Sequence, residues 1–130
     1  LGPRDISEGK CVLVSRVDRS KTIVPLDGVE DAVAEKLAAI RDELYAKALA
    51  NRQAHTYDCT SLDEIKQKLR ENGDGFVRAM WCGDPECEDK VKELTEVGSR
   101  CIPFEQEQLS DKCVCCGRPA KKLVYWGKAY

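Results

Sequence analysis

The chain of 130 residues is poor in several residue types on which common functions depend. It has one histidine, no glycine-rich phosphate loop and no serine in a nucleophile elbow, so it offers little for acid–base or nucleophilic catalysis. Only 6% of its residues are aromatic, so the core must rest on Val, Leu, Ile and Ala. We therefore expect a chain that binds or positions something and is inactive as an enzyme by itself.

Long apolar segments are also missing. No run approaches the roughly 18 apolar residues of a membrane-spanning helix. The first ten residues, LGPRDISEGK, carry charges and a proline where a secretory signal needs an apolar stretch. With 42% hydrophobic and 34% charged residues, the composition is typical of a soluble globular protein. We predict a cytoplasmic protein with no membrane partner.

The formal net charge of −2 gives no general attraction to nucleic acid, but the charge is unevenly distributed. Residues 112–130 contain five basic residues and no acidic one: Lys112, Arg118, Lys121, Lys122 and Lys128. This local excess can balance the negative charge of a cluster of thiolates, or it can form a patch for RNA phosphates. The first interpretation is favoured.

The chain is rich in cysteine, with eight residues, and four of them form two closely spaced pairs. Cys82 and Cys87 are spaced as C-x4-C, and Cys113 and Cys116 as C-x2-C. Structural zinc takes four thiolate ligands at the corners of a tetrahedron, and two such pairs supply them. The sequence therefore predicts one structural Zn²⁺ held by these four residues.

Other readings of the cysteines are weaker. A disulfide framework suits neither the missing secretory signal nor the long helical stretches. An iron–sulfur cluster also accepts four cysteines, but this spacing suits zinc better. Cys115 competes with its neighbour Cys116, although adjacent residues rarely point at one ion together. We expect the remaining cysteines, Cys11, Cys59 and Cys101, to be small buried apolar residues, and His55 to be a partly exposed structural histidine.

The N-terminal half reads as a hairpin followed by one long helix. CVLVSRVD and TIVPL are short β-branched runs joined by a polar turn. Asp27 is the expected helix cap, and an apolar stripe continues to about Asn51. The stripe is predicted to pack in a core, and its members recur every three or four residues: Val29, Val33, Leu37, Ile40, Leu44 and Ala48.

From His55 onward the pattern alternates between strands and helices. HTYDCT and GFVRAMW are predicted strands, separated by a helix that Ser61 caps and that buries Leu62, Ile65 and Leu69. Asp84 and Pro85 open a second helix, which buries Cys87, Val91 and Leu94 and ends at Gly98. RCIPF and KKLVYWGK are the last two strands. The fold class is α+β, with a β-α-β-α-β-β unit in two layers and the helices on one face of the sheet.

A boundary near residues 51–55 separates the two parts. A hairpin and a helix of about fifty residues bury little apolar surface on their own. We therefore expect the N-terminal part to be the end of a larger domain whose first half is absent.

Several segments resemble one family. GPRD, GFVRAMWCGDPECEDKVKE, RCIPFEQE and CVCCGRPAKKLVYWGKAY are similar to the C-terminal part of prolyl-tRNA synthetases of the archaeal and eukaryotic type. The resemblance covers essentially the whole chain. It implies that residues 1–53 end an incomplete α/β anticodon-binding domain and that residues 54–130 form the C-terminal zinc-binding domain.

The resemblance also implies a parent enzyme. The family's zinc ligands fall on Cys82, Cys87, Cys113 and Cys116, and its terminal tyrosine falls on Tyr130, whose carboxylate is implied to reach the catalytic domain. The parent would be a homodimeric class II enzyme that uses ATP to attach proline to tRNA(Pro). Its ATP and proline sites would lie in the remainder of the synthetase chain. The alternatives are a stand-alone zinc-dependent RNA-binding module and, third, a redox or iron–sulfur protein.

Overall fold

The computed structural model describes residues 1–73 and 75–129. The chain divides into two compact units, Leu1–Asn51 and Arg52–Tyr130. The assignment of these units to functional domains stays a prediction, and so does the domain boundary between residues 53 and 54. In the part of the chain that is described, no helix is both long enough and apolar enough to span a bilayer.

The first unit is built on a β-hairpin. A short helix α1, Pro3–Ser7, precedes strands β1, Lys10–Val14, and β2, Lys21–Pro25, which pair antiparallel. The connecting turn is closed by the Ser15 N–H, which donates to the Ser20 carbonyl at 2.9 Å. The predicted hairpin is confirmed.

Helix α2, Val29–Ala54, is the longest element, and two expectations about it are wrong. The helix begins at Val29, and the carbonyl of Gly28 accepts the first helical hydrogen bond from Ala32 at 3.2 Å, so Asp27 lies one residue too early to be the cap. No residue of α2 is buried, and Leu37 of the apolar stripe is largely exposed. No residues in the described part of the chain cover this apolar stripe.

The second unit has the predicted order β-α-β-α-β-β. Its elements are β3 Thr56–Asp58, α3 Leu62–Asn72, β4 Phe76–Trp81, α4 Pro85–Thr95, β5 Val97–Cys101 and β6 Lys122–Lys128. The sheet order is β3-β4-β6-β5, with β3 and β4 parallel and the other neighbours antiparallel. The last strand of the chain is thus inserted between β4 and β5.

Both helices of this unit pack on one face of the sheet, as predicted. Register pairs Val77 with Trp126 and Ala79 with Val124, so these four side chains share a face. Ile65 of α3 and Val91 of α4 join them in the same buried cluster. The two-layer arrangement is confirmed, and Trp126 of its core is fully buried.

Helix α3 starts as its sequence predicts. The Ser61 side chain accepts a hydrogen bond from the Glu64 N–H at 3.2 Å. The Glu64 carboxylate reaches back to the Thr60 N–H at 2.6 Å, which is one residue earlier than the usual reciprocal partner. Ile65 is fully buried, and Leu62 and Leu69 pack partly buried against the core.

Helix α4 departs from expectation at its end. It stops at Thr95, and Glu96 adopts a left-handed conformation with φ 62°, so Gly98 lies inside β5 and does not end the helix. Thr95 takes the buried position expected for Leu94, and its buried hydroxyl is satisfied by donating to the Val91 carbonyl at 2.5 Å. Strand β5 consequently begins before the predicted strand RCIPF and ends at Cys101. Cys101 is exposed, so the prediction that it is buried is wrong.

Candidate metal centre

The first cysteine pair lies where β4 passes into α4. Cys82 follows the last residue of β4, Gly83 has a φ of 89°, and Asp84 caps the helix by accepting from the Glu86 N–H at 3.0 Å. Cys87 lies in the first helical turn, and its N–H donates to the Asp84 carbonyl at 3.0 Å. The positive φ at Gly83 turns the chain tightly enough to bring both thiols to one side.

The second pair lies in a tight turn between residues 112 and 119. The Cys113 N–H donates to the Arg118 carbonyl at 2.8 Å, and the Gly117 N–H donates to the Cys113 carbonyl at 3.0 Å. Gly117 has a φ of 69°, a conformation that glycine adopts without strain. This backbone presents Cys113 and Cys116 from the same turn.

The end of β4 holds the two pairs together. The Met80 carbonyl accepts from the Val114 N–H at 2.9 Å, and the Trp81 carbonyl accepts from the Lys121 N–H at 2.8 Å. The second turn is therefore fastened to the two residues that precede Cys82, through Val114 within the turn and Lys121 just after it. The first pair follows directly in the chain, so the four thiols converge at one corner of the sheet.

The structure brings all four predicted residues together. The sulfur atoms of Cys82, Cys87, Cys113 and Cys116 all lie within 4.8 Å of one another. The Cys116 and Cys82 sulfurs are 3.8 Å apart. The first three residues are buried and Cys116 is exposed. This group could hold a metal ion, and the ion's identity and the ligand assignment stay predictions.

Electrostatics differ between the buried and exposed sides of the cluster. Burial raises the pKa of Cys82 to about 12 and that of Cys87 to about 11. The guanidinium of Arg118 lowers the pKa of Cys116 to about 6 through a hydrogen bond to its sulfur. Without a cation, burial therefore keeps two of the thiols protonated, and a bound metal ion favours their thiolate forms.

Arg118 was missed as a site residue by sequence reasoning. Its Nε lies 3.2 Å from the Cys116 sulfur, and its Nη2 lies 3.6 Å from the Cys87 sulfur and 2.5 Å from Asp84 Oδ2. The basic excess of residues 112–130 pointed to charge balance but not to this residue. An arginine two positions after the last cysteine was the available signal.

The other cysteines and the histidine lie outside the four-sulfur group. Cys11 and Cys59 are buried, as predicted, and burial raises the pKa of Cys59 to about 11. Cys115 is half-buried and packs against the cluster without joining the group. The half-buried His55 uses its carbonyl to accept from the Phe76 N–H at 2.8 Å. Tyr130, whose terminal carboxylate was predicted to reach the catalytic domain, lies outside the described residues.

The site and fold together define a mixed α+β module with a four-cysteine candidate metal centre. The family model "Prolyl-tRNA synthetase, C-terminal" matches residues 62–130, which include both cysteine pairs. The chain therefore belongs to the prolyl-tRNA synthetase C-terminal family.

Relatives and a solved structure agree with this family. A proline–tRNA ligase of Lachnospira eligens is 52% identical over 130 residues, and one of Clostridium botulinum (strain Okra / Type B1) is 51% identical. Each match covers 100% of this chain and 27% of the relative. The crystal structure of prolyl-tRNA synthetase from Cryptosporidium parvum, complexed with L-proline and AMP, matches with a TM-score of 0.89 at 28% identity. That match covers 100% of this chain and 28% of the other.

Proposed function

We propose that these residues are the C-terminal region of a proline–tRNA ligase, which activates proline with ATP and transfers it to tRNA(Pro). Identity of about half the residues to curated ligases across the whole chain is the observation that carries this proposal. The chain spans 27% of those relatives, so the catalytic domain and the ATP and proline sites would lie in the remaining residues. These residues alone would be inactive.

The metal is proposed to be one structural Zn²⁺ held by Cys82, Cys87, Cys113 and Cys116. Tetrahedral zinc with Zn–S bonds of about 2.3 Å requires sulfurs about 3.8 Å apart. The Cys82–Cys116 separation of 3.8 Å fits this requirement, and an all-thiol donor set suits zinc. The ion would join the end of β4, the start of α4 and the second turn, and would contribute on the order of 10 kcal/mol to folding.

The two predicted domains are part of the same proposal. Residues 1–53 would end an anticodon-binding domain, and residues 54–130 would form the zinc-binding domain. The exposed apolar stripe of α2 supports the first assignment, because a helix face of this kind needs neighbours to bury it. The enzyme would be a cytoplasmic homodimer that binds tRNA and makes no membrane contact.

Tyr130 is proposed to place its terminal carboxylate against the catalytic domain. The support is its position in the resemblance, since it lies outside the described residues. Removal of Tyr130 from the full-length protein should lower the rate of aminoacylation and leave the melting temperature unchanged. An unchanged rate would remove this role.

A charging assay tests the proposed activity. The full-length protein that contains these residues should attach labelled proline to tRNA(Pro) in the presence of ATP, with alanine as the control amino acid. Failure to charge with proline, under conditions where the protein is folded, would contradict the proposal.

A further inference from the structure

The thiol cluster has one side that solvent reaches. Cys82, Cys87 and Cys113 keep only 7%, 2% and 3% of their reference surface, whereas Cys116 is exposed. All four sulfur atoms nevertheless lie within 4.8 Å of one another. A small polar reagent from solvent therefore meets the Cys116 sulfur before it meets any of the other three.

A second sulfur lies within reach of the exposed one. The Cys82 sulfur is 3.8 Å from the Cys116 sulfur, so the two atoms are in van der Waals contact. A disulfide requires an S–S distance of about 2.05 Å. The backbone around Cys116 has room to make this small movement, because residues 116–119 are all exposed. The two thiols, which come from different turns, are therefore placed to form one covalent bond.

Arg118 adds a positive charge at the exposed sulfur. Its Nε donates to the Cys116 sulfur at 3.2 Å, and its side chain is 58% exposed. When a thiolate attacks a peroxide, negative charge develops on the departing oxygen, and a hydrogen-bond donor already in place stabilises that charge. The exposed thiolate and the guanidinium together favour attack on a peroxide at this position.

We propose that the cluster is a peroxide-sensitive modification site, at which oxidation joins Cys116 to Cys82 and releases the bound metal ion. The inference rests on the proposed metal centre and assigns a reaction to its ligands. The oxidant is hydrogen peroxide. Cys101 is also exposed, but it lies outside the four-sulfur group, so its oxidation leaves the ligand set intact.

The reaction has two balanced steps. The Cys116 thiolate attacks one oxygen of hydrogen peroxide, an S–O bond forms, the O–O bond breaks and hydroxide leaves, which gives a sulfenic acid. The Cys82 thiolate then attacks the sulfenic sulfur, an S–S bond forms, the S–O bond breaks and a second hydroxide leaves. The two thiolates lose two electrons in total, and the peroxide gains them.

The disulfide removes two of the four ligands. Cys87 and Cys113 alone do not complete the tetrahedral set that structural zinc requires, so the ion dissociates. The hydrogen bonds of Met80 and Trp81 to the second turn do not involve the thiols, and the oxidised unit keeps them. A dithiol reductant restores both thiolates, so the modification is reversible.

Metal release from the full-length protein tests this inference. Zinc-loaded wild type treated with hydrogen peroxide should release its zinc to a chromophoric chelator. Cys116→His keeps four zinc ligands but forms no disulfide with Cys82, and it should release zinc at least about tenfold more slowly. Cys115→Ser should match wild type. Equal rates in wild type and Cys116→His, or protection by Cys115→Ser, would overturn the proposal.

Mass spectrometry of the treated wild type provides a second measurement, which stands even if Cys116→His fails to hold zinc. Peptides of the oxidised protein should contain a Cys82–Cys116 disulfide that a dithiol reductant removes. Zinc release without this disulfide would contradict the inference. Zinc is measured before peroxide is added, so its absence then counts against the proposed metal centre, whereas zinc that stays bound after treatment counts against this reaction.

Discussion

Arg118 and Asp84 form an ion pair across 34 residues of sequence, with Nη2 of the guanidinium 2.5 Å from Oδ2 of the carboxylate. Asp84 also caps α4, and Arg118 also contacts the sulfurs of Cys116 and Cys87. The pair therefore links the two cysteine turns independently of any ion. It places a positive charge beside the exposed side of the thiol cluster.

Loss of this link should weaken metal retention. Arg118→Ala removes the hydrogen bonds to Cys116 and Asp84, and groups that support metal ligands typically contribute tenfold or more to metal affinity. We expect about a tenfold loss, measured by competition with a chromophoric chelator. Lys122→Gln removes one positive charge of the same basic segment and is the control. Equal metal affinity in both variants would show that Arg118 has no specific role.

The buried core should respond strongly to truncation of one helix residue. Ile65 is fully buried among Val77, Val91 and Trp126, so Ile65→Ala leaves a cavity. The free energy of unfolding should fall by about 2–5 kcal/mol in urea titrations. Leu94→Ala on the exposed side of α4 is the matched control, with a loss below about 1 kcal/mol. A loss at Ile65 no larger than at Leu94 would contradict the described packing.

The start of α3 predicts a pH-dependent stability. Hydrogen bonds from Thr60 lower the pKa of Glu64 below the ordinary carboxyl value. A lowered folded-state pKa stabilises the fold above the unfolded-state pKa, and this contribution is lost as pH falls through the folded-state value. Wild type should therefore exceed Glu64→Gln in stability at pH 7, and the difference should shrink below about pH 4.

Urea titrations of wild type and Glu64→Gln at pH 7 and below about pH 4 check this expectation. Glu71→Gln, on the last turn of the same helix, controls for the loss of a carboxylate. A Glu64→Gln difference that persists unchanged into acid would show that the ionised carboxylate is not the source.

The side-chain amide of Gln106, whose Oε1 accepts from the Leu123 N–H at 2.7 Å, should be required for the order of residues 102–111, in the segment between β5 and β6. Gln106→Ala leaves the Leu123 N–H without its partner, which costs about 1–3 kcal/mol for a partly buried group. Hydrogen exchange at the Leu123 amide should become faster. Gln108→Ala removes only an exposed contact with Asp111 and should leave that rate unchanged.

Much of the fold was predictable because its signals are local. The caps at Ser61 and Asp84 act within three residues, and the structure forms both as the sequence predicts. The two cysteine pairs were recognisable from spacing alone, since each pair lies within one turn. Their convergence then depends on Met80 and Trp81, the residues just before Cys82.

The errors concern features that distant residues determine. The length of β5 depends on its pairing with β6, which has an irregularity between Ser99 and Cys101, and this leaves Cys101 exposed. The contacts of Arg118 with Asp84 and of Gln106 with Leu123 span 34 and 17 residues. No periodicity or spacing in one sequence reports such pairs.

The metal content of three purified proteins tests the central claim most directly. Wild type and Cys115→Ser should each contain about one zinc per chain by elemental analysis and be colourless, while Cys116→Ser should lose the metal and melt at a lower temperature. Zinc retained in Cys116→Ser but lost in Cys115→Ser, or iron with visible absorbance in the wild type, would contradict the account.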